Sequence, residues 1–171
     1  MPGMRGTTVL LALASVLLTS TLYAQGPASP ACPPSATVKQ LINALDLVFS
    51  GPKDRDRGCF RDLFLPDAHL IQMMNGIGSP HILTVDGYIE EARKREIDKI
   101  YERQIQVRSE SWGGIAELWS TYEIRPEKDA SPIGRGMMSI QAIFDGKRWR
   151  VLEVLEQSET PLTPIPTKYL P

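Results

Sequence analysis

The stretch from Trp119 to Glu156 constrains the fold more than any other part of the sequence. Apolar and polar residues alternate there with a period of two, which is typical of strands with one buried face. Asp145-Gly146 interrupts the alternation and is a strong signal for a tight hairpin turn. The pattern therefore predicts an antiparallel sheet against which the upstream residues pack.

The same period begins earlier in the chain, where Gly113-Gly114 marks another tight reversal. Four long strands are predicted, over residues 101–110, 115–124, 135–144 and 148–157.

Three helices and one short strand are predicted before this sheet. Ser35 or Thr37 caps the first helix, whose apolar residues recur every three or four positions until Ser50-Gly51-Pro52. The other predicted elements are a second helix over Cys59–Leu65, a strand over His69–Met74 and a third helix over Val85–Lys94 capped by Thr84.

The N-terminus has the pattern of a cleaved secretory signal over residues 1–24. Arg5 supplies the positive region, Val9 to Leu22 the apolar region and Ala24 the small residue before cleavage. The apolar run is shorter than the roughly 20 residues that span a bilayer. We therefore expect a secreted or periplasmic protein with no membrane attachment after cleavage.

Three further segments follow from composition and periodicity. Residues 25–36 form a Pro-rich arm that is predicted to be disordered, 37–158 form one domain, and 159–171 form an extended tail with regularly spaced prolines.

Cys32 and Cys59 are the only cysteines. An oxidising compartment favours a disulfide between them. The alternative is one buried thiol and one thiol in a flexible arm that never meet.

The charge balance and the absence of known motifs exclude several classes of function. With 19 basic and 20 acidic residues, the net charge of −1 gives no electrostatic argument for binding nucleic acid or anionic membranes. The sequence lacks a glycine-rich phosphate loop, G-x-S-x-G and HExxH, and its two histidines are scattered. We expect no metal and no cofactor.

Hairpin pairing assigns the side chains to the two faces of the predicted sheet. Arg103 and Glu153 then fall on the apolar inner face, together with the hydroxyls of Ser120 and Tyr122. Buried charges need a partner or a polar cavity. One interpretation is a pocket lined by Tyr101, Arg103, Ser120, Met138 and Trp149. The alternative is that Arg103 and Glu153 lie near strand ends and reach water.

The order of elements resembles the SnoaL-like members of the NTF2-like superfamily. The resemblance covers the chain from about Val38 onwards and is carried by FLPDAHL (64–70), YERQI (101–105), IAELWSTYEIR (115–125), RGMMSIQ (135–141), FDGKRW (144–149) and IPTKYLP (165–171). It implies an α+β NTF2-like cone, a strongly curved mixed or antiparallel sheet wrapped around three N-terminal helices, with a cavity at the wide end. It also implies a homodimer through the outer sheet face, for which Trp119, Met137, Ile143, Leu152 and Val154 are candidates.

Two functions are compatible with this resemblance. Some relatives, such as ketosteroid isomerase, scytalone dehydratase and polyketide cyclases, use groups inside the cone for acid–base chemistry, but no motif of theirs matches here residue by residue. The first hypothesis is a cone that binds a small apolar or amphipathic molecule, with possible lyase or isomerase activity. Glu153 would be the base, Tyr122 the hydrogen-bond donor, Arg103 the orienting group and His69 a second proton carrier. The second hypothesis is a non-catalytic interaction or dimerisation module in the cell envelope.

Overall fold

The computed structural model describes residues 31–73 and 78–171. The predicted secretion signal and residues 25–30 of the predicted arm lie outside this range. None of the helices in the described part of the chain combines the length and the hydrophobicity needed to span a bilayer.

The described residues form three α-helices, seven strands and a short closing 3₁₀ helix. The helices are α1 (Val38–Phe49), α2 (Gly58–Leu63) and α3 (Val85–Arg93). The strands are β1 (Gly51–Pro52), β2 (Phe64–Met73), β3 (His81–Thr84), β4 (Lys99–Trp112), β5 (Ile115–Arg125), β6 (Gly134–Phe144) and β7 (Trp149–Ser158). The 3₁₀ helix is Thr167–Tyr169. The predicted helices and long strands are confirmed, whereas the sequence analysis missed β1 and β3.

Local signals explain where α1 and α3 begin. The Thr37 hydroxyl accepts the Gln40 N–H at 3.2 Å, and the Gln40 side chain accepts the Thr37 N–H, which completes a capping box. Ser50 ends α1 in an extended conformation, and Gly51 follows at a φ of 110°. Thr84 caps α3 through the Gly87 N–H.

All seven strands belong to one curved sheet in the order β1-β4-β5-β6-β7-β2-β3. The pairing is antiparallel except between β2 and β7, which are parallel. The helices pack against its inner face, as the predicted α+β cone requires.

The two hairpins differ from each other. Trp112 pairs with Ile115, so Gly113-Gly114 forms the predicted two-residue turn. Phe144 pairs with Trp149, so the predicted hairpin at Asp145-Gly146 has a loop of four residues. The Asp145 carboxylate stabilises this longer loop because it accepts the backbone N–H groups of residues 147 and 148.

Asp46 in α1 and Ser50, the residue that follows α1, cover the edge of the sheet beyond the short β1. The Ser50 hydroxyl accepts the Glu102 N–H at 2.8 Å and donates to the Glu102 carbonyl oxygen at 3.1 Å. The Asp46 carboxylate accepts the Gln104 N–H at 2.8 Å. These contacts replace the hydrogen bonds that a neighbouring strand would make.

An aromatic cluster fills part of the space between helices and sheet. Phe60 stacks on Phe64 and Tyr88, with ring centroids 4.5 and 5.1 Å apart, and Phe49 meets all three rings edge to face. The Tyr88 hydroxyl is the polar end of this cluster and accepts a hydrogen bond from Arg95.

The predicted disulfide is confirmed: Cys32 is bonded to Cys59 at the start of α2. Residues 31–36, the part of the predicted arm that the structure describes, are held against the sheet. Ser35 is only 3% exposed, and its hydroxyl and carbonyl group both bond to the backbone of Trp149.

A bulge in β4 changes which side chains face the core. Ile105 has no partner in β5, whereas Gln104 pairs with Tyr122. The extra residue reverses the alternation on its N-terminal side. Glu102 is therefore buried on the inner face, and Arg103 is exposed on the other side. The predicted inward orientation of Arg103 is wrong for this reason.

A second bulge, at Leu152, has the same effect in β7. Val154 pairs with Ile140 and is 1% exposed, so it belongs to the core rather than to the predicted outer interface. The reversed alternation places Glu156 on the inner face and Glu153 on the outer face. The predicted inward orientation of Glu153 is therefore also wrong.

The C-terminal tail crosses the outer face of the sheet. The Tyr169 ring packs on Trp119 with centroids 5.9 Å apart, and its carbonyl oxygen accepts the Thr121 hydroxyl at 2.6 Å. The Lys168 carbonyl oxygen accepts hydrogen bonds from Gln106 and Arg108 in β4. The tail thus covers part of the face that was predicted to bind a second copy.

Of the predicted interface residues, the ones that do lie on this face are Trp119, Met137, Ile143 and Leu152. The dimer itself stays a prediction.

Candidate functional site

A cavity of about 450 Å³ opens between α3, the segment after it and the inner face of the sheet. This volume is in the range of small-molecule sites in proteins. Its walls combine apolar and polar side chains: Ile97, Ile100, Ile124, Ile133, Gln72, Tyr88, Arg95, Glu96, Glu102 and Glu156. It therefore suits an amphipathic small molecule, because it offers both apolar and polar contacts.

Glu102 is the most deeply buried acid of the cavity, with 6% of its surface exposed. Its carboxyl group accepts a hydrogen bond from the Gln104 side chain at 3.2 Å, and Ser120 in turn donates to the Gln104 amide oxygen. Burial, followed by the negative charge of Glu156, raises the pKa of Glu102 well above its usual range. Glu102 is thus suited to carry a proton and to donate it.

Glu156 enters the cavity from β7, which lies three strands away from the Glu102 strand β4 in the same sheet. Its carboxylate accepts the Tyr122 hydroxyl at 2.7 Å and the Gln72 side-chain amide at 3.4 Å. Tyr122 is 1% exposed, and both its burial and the charge of Glu156 raise its pKa. Tyr122 therefore stays a neutral donor and fixes the orientation of Glu156.

Gly136 makes the contact between Tyr122 and Glu156 possible. It lies in β6, directly opposite Tyr122 in β5, and the Tyr122 ring leans over it towards β7. A β-carbon at Gly136 would lie 2.6 Å from both the Tyr122 ring and the Gln157 carbonyl oxygen. Only glycine leaves room for the ring here.

Arg95 brings a positive charge to the mouth of the cavity. Its guanidinium donates to the Tyr88 hydroxyl at 2.8 Å and lies 5.7 Å from the centroid of that ring. The charge of Arg95 favours the ionised form of Glu102 but does not outweigh burial. It could also neutralise an oxyanion on a bound molecule.

Together these groups form an acid–base arrangement in a cavity whose walls are partly apolar and partly polar. Glu102 can donate a proton, and Glu156 can accept one while Tyr122 and Gln72 hold it in place. Two carboxyl groups in different environments are a common basis for acid–base catalysis without a cofactor.

Among the sequence-predicted site residues, four are on the inner side of the sheet: Tyr122, Ser120, Met138 and Trp149. Tyr122 is the one that contacts a cavity acid directly.

The other predicted site residues lie elsewhere. His69 pairs with Glu153, and both lie on the outer face of the sheet, away from the cavity. Arg103 and Tyr101 line a different cleft beside β1. Tyr101 and Arg103 therefore do not share a pocket with Ser120, Met138 and Trp149, and Glu153 does not enter the cavity.

Sequence reasoning assigned Glu102 and Glu156 to the wrong face because it assumed unbroken alternation. A signal was present in β7, where the apolar pair followed by an acid occurs twice, as Val151-Leu152-Glu153 and Val154-Leu155-Glu156. A repeat of three cannot keep one face apolar in a regular strand, so it indicates a bulge.

We expect Glu102→Gln to stabilise the protein at alkaline pH. The pKa of Glu102 is higher in the folded than in the unfolded chain. The contribution of this carboxyl group to the free energy of unfolding is therefore fully present below the pKa of the unfolded chain, and it is lost as the pH rises through the pKa of the folded chain. The free energy of unfolding of the variant should match that of the parent near pH 4. At pH 8 it should exceed that of the parent by on the order of 1 kcal/mol or more, since each unit of pKa difference corresponds to about 1.4 kcal/mol. Urea unfolding at both pH values measures this.

Glu110→Gln, an exposed change in the same strand, is the control and should alter neither value. A residual decline with pH is expected in the Glu102 variant because burial also raises the pKa of Asp46, to about 6. If Glu102→Gln is instead destabilising at pH 8, the carboxyl group is not held in its neutral form.

Solved structures resemble the described fold, although no family model and no curated protein matches the sequence. An NTF2-like protein of unknown function from Silicibacter pomeroyi has a TM-score of 0.51 and 14% identity, over 71% of this chain and 92% of that chain. A cystatin-like-fold protein from Nostoc punctiforme has a TM-score of 0.58 and 11% identity, over 73% and 92%. An NTF2-like protein from Pseudomonas putida has a TM-score of 0.55 and 13% identity, over 75% and 90%. At these identities the likeness concerns the fold alone, and the chain has the NTF2-like fold.

Proposed function

We propose that the cavity binds a small, mostly apolar molecule and catalyses proton transfer on it by general acid–base chemistry. The observation that carries the proposal is the placement of Glu102 and Glu156 in one cavity, with Tyr122 bonded to Glu156. The reaction class is a lyase or isomerase that uses protein groups alone. Fold likeness alone does not give an activity, so the argument is from the site.

Each group has a separate role in the proposed step. Glu156 removes a proton from a carbon atom next to an electron-withdrawing group. Glu102 donates its proton to the oxygen atom on which negative charge develops, and Arg95 offsets the remaining charge. Tyr122 is a positioning residue, because it acts through Glu156.

Kemp elimination of 5-nitrobenzisoxazole tests the proposal. A base removes the carbon-bound proton of this flat, apolar molecule, the N–O bond breaks, and a coloured cyanophenolate forms. We expect the protein to exceed the rate of free acetate at equal concentration, and Glu156→Gln to lower the protein-dependent rate by about 100-fold or more. Tyr122→Phe should shift the pH profile of the remaining activity.

Glu153→Gln is the matched control, since it makes the same change in the same strand on the outer face. It should leave the rate unchanged. A loss in this variant together with full activity of Glu156→Gln would contradict the assignment, as would a parent rate no higher than that of acetate.

The proposal includes export from the cytoplasm and membership of the SnoaL-like group. The Cys32–Cys59 disulfide is compatible with an oxidising compartment, and the pattern of residues 1–24 predicts the signal for export. The likeness to solved structures supports the NTF2-like fold, while the finer grouping depends on the sequence resemblance.

A further inference from the structure

A second cleft, of about 570 Å³, lies beside β1 and the first half of β4. The cationic and aromatic side chains that line it come from distant parts of the chain: Arg55, Lys99, Tyr101, Arg103, Arg125 and Lys128. No run of basic residues announces this cluster in the sequence, because folding brings its members together.

Three of these cations have no carboxylate within ion-pair distance among the described residues. They are Arg55, Arg103 and Lys128, whereas Arg125 pairs with Glu123 at 2.7 Å and Lys99 with Glu127 at 3.5 Å. The cleft therefore has an excess of positive charge.

The two acids that border the cleft offset at most one of these three charges. Burial raises the pKa of Asp46 to about 6, so its carboxyl group, which accepts the Gln104 N–H and feels the charge of Arg103, is mostly ionised at neutral pH and offsets one positive charge. Glu102 faces the other cavity, and burial favours its neutral form. Neither carboxyl group forms an ion pair with a cleft cation.

Three of the cleft cations have neighbours that restrict their movement. The Arg55 guanidinium donates to the carbonyl oxygens of Leu47 and Ser50 at 2.9 and 2.5 Å, at the C-terminal end of α1. The Lys128 ammonium lies 5.9 Å from the centroid of the Tyr101 ring, and that of Lys99 lies 4.8 Å away. Ordered cations lose less entropy on binding an anion than free ones.

We propose that this cleft binds a small molecule that carries two or more negative charges on its phosphate or sulfate groups. Arg103 supplies a fork of N–H donors that matches such an oxyanion, and Lys128 and Arg55 supply further charge. Tyr101 also lines the cleft and keeps Lys99 and Lys128 beside it through its ring. The cleft shares Glu102 as a wall with the proposed acid–base cavity, but its cations do not line that cavity and its binding does not depend on the proposed function.

Titration of the full chain with inorganic pyrophosphate at low ionic strength tests the proposal by calorimetry. The double variant Arg103→Gln with Lys128→Gln should lose at least about tenfold in affinity, the effect of removing one charged hydrogen bond or more. The matched control is Lys39→Gln with Lys147→Gln, which changes the net charge equally at exposed sites elsewhere. The control should lose less than about twofold, because only long-range charge is altered.

Three further measurements complete the test. Glu156→Gln should keep full affinity for pyrophosphate, which separates this site from the cavity. Vesicles of phosphatidylcholine with and without phosphatidylglycerol distinguish a lipid headgroup from a free anion. If the protein binds the phosphatidylglycerol vesicles and pyrophosphate displaces it, the ligand is a lipid headgroup. If the protein binds neither kind of vesicle, the ligand is a free small molecule. The proposal is overturned if the parent does not bind millimolar pyrophosphate, or if both double variants lose affinity equally.

Discussion

Gly136→Ala is expected to lower the free energy of unfolding by about 3 kcal/mol, a large effect for the addition of one methyl group. The new β-carbon would meet the Gln157 carbonyl oxygen and the Tyr122 ring at 2.6 Å, and one of these contacts is with backbone that cannot rotate away. Relief requires β6 and β7 to separate or the Tyr122 ring to move. Urea unfolding measures the loss.

The same variant should also lose most of the activity towards 5-nitrobenzisoxazole, since a displaced Tyr122 no longer holds the Glu156 carboxylate. Gly134→Ala is the control in the same strand, because no heavy atom lies within 4 Å of the position that its new β-carbon would take. It should be neutral or slightly stabilising, because alanine restricts the unfolded chain. Equal stability of the two variants would show that the sheet yields easily at Gly136.

Removal of the disulfide, by Cys32→Ser with Cys59→Ser, is expected to cost about 3.5 kcal/mol of unfolding free energy. The bond closes a loop between residues 27 positions apart, and an open loop gives the unfolded chain more conformations. It also anchors the segment whose Ser35 bonds to Trp149, so α1 should lose protection in hydrogen exchange. Urea unfolding measures the first effect.

Dithiothreitol provides an internal control for this prediction. Reduction should bring the parent protein to the stability of the double serine variant, and the variant itself should not respond. A parent that keeps its full stability after complete reduction would mean that the native contacts of residues 31–36 suffice without the bond.

The fold was predictable because its signals are local. Thr37 and Thr84 cap helices with apolar stripes, and Gly113-Gly114 reverses the chain between two alternating strands. The strands β1 and β3 were not predictable in this way. Gly51-Pro52 and His81–Thr84 carry no strand pattern of their own and pair only because β4 and β2 present an open edge.

The site was less predictable because it depends on two single-residue irregularities. Unbroken alternation assigns Arg103 and Glu153 to the interior. Because of the bulges at Ile105 and Leu152, these two side chains lie on the outer face, and Glu102 and Glu156 lie on the inner face. The repeated apolar pair followed by an acid is a local signal for the bulge in β7, whereas the residues around Ile105 carry no comparable signal for the bulge in β4. Tyr122 lies in β5, which pairs with β6 without a shift of register, so its inward orientation was predicted correctly.

The hydrogen bonds that Ser50 and Asp46 make to β4 have a consequence for self-association. An open strand edge offers a row of unpaired donors and acceptors, on which another chain can add a strand and begin a fibril. Here the Ser50 hydroxyl and the Asp46 carboxylate already form hydrogen bonds with the backbone of Glu102 and Gln104, so another chain cannot pair with these groups. The side chains of Asp46 and Ser50 thus protect this border of the sheet from aggregation, at a position where a strand of only two residues leaves it uncovered.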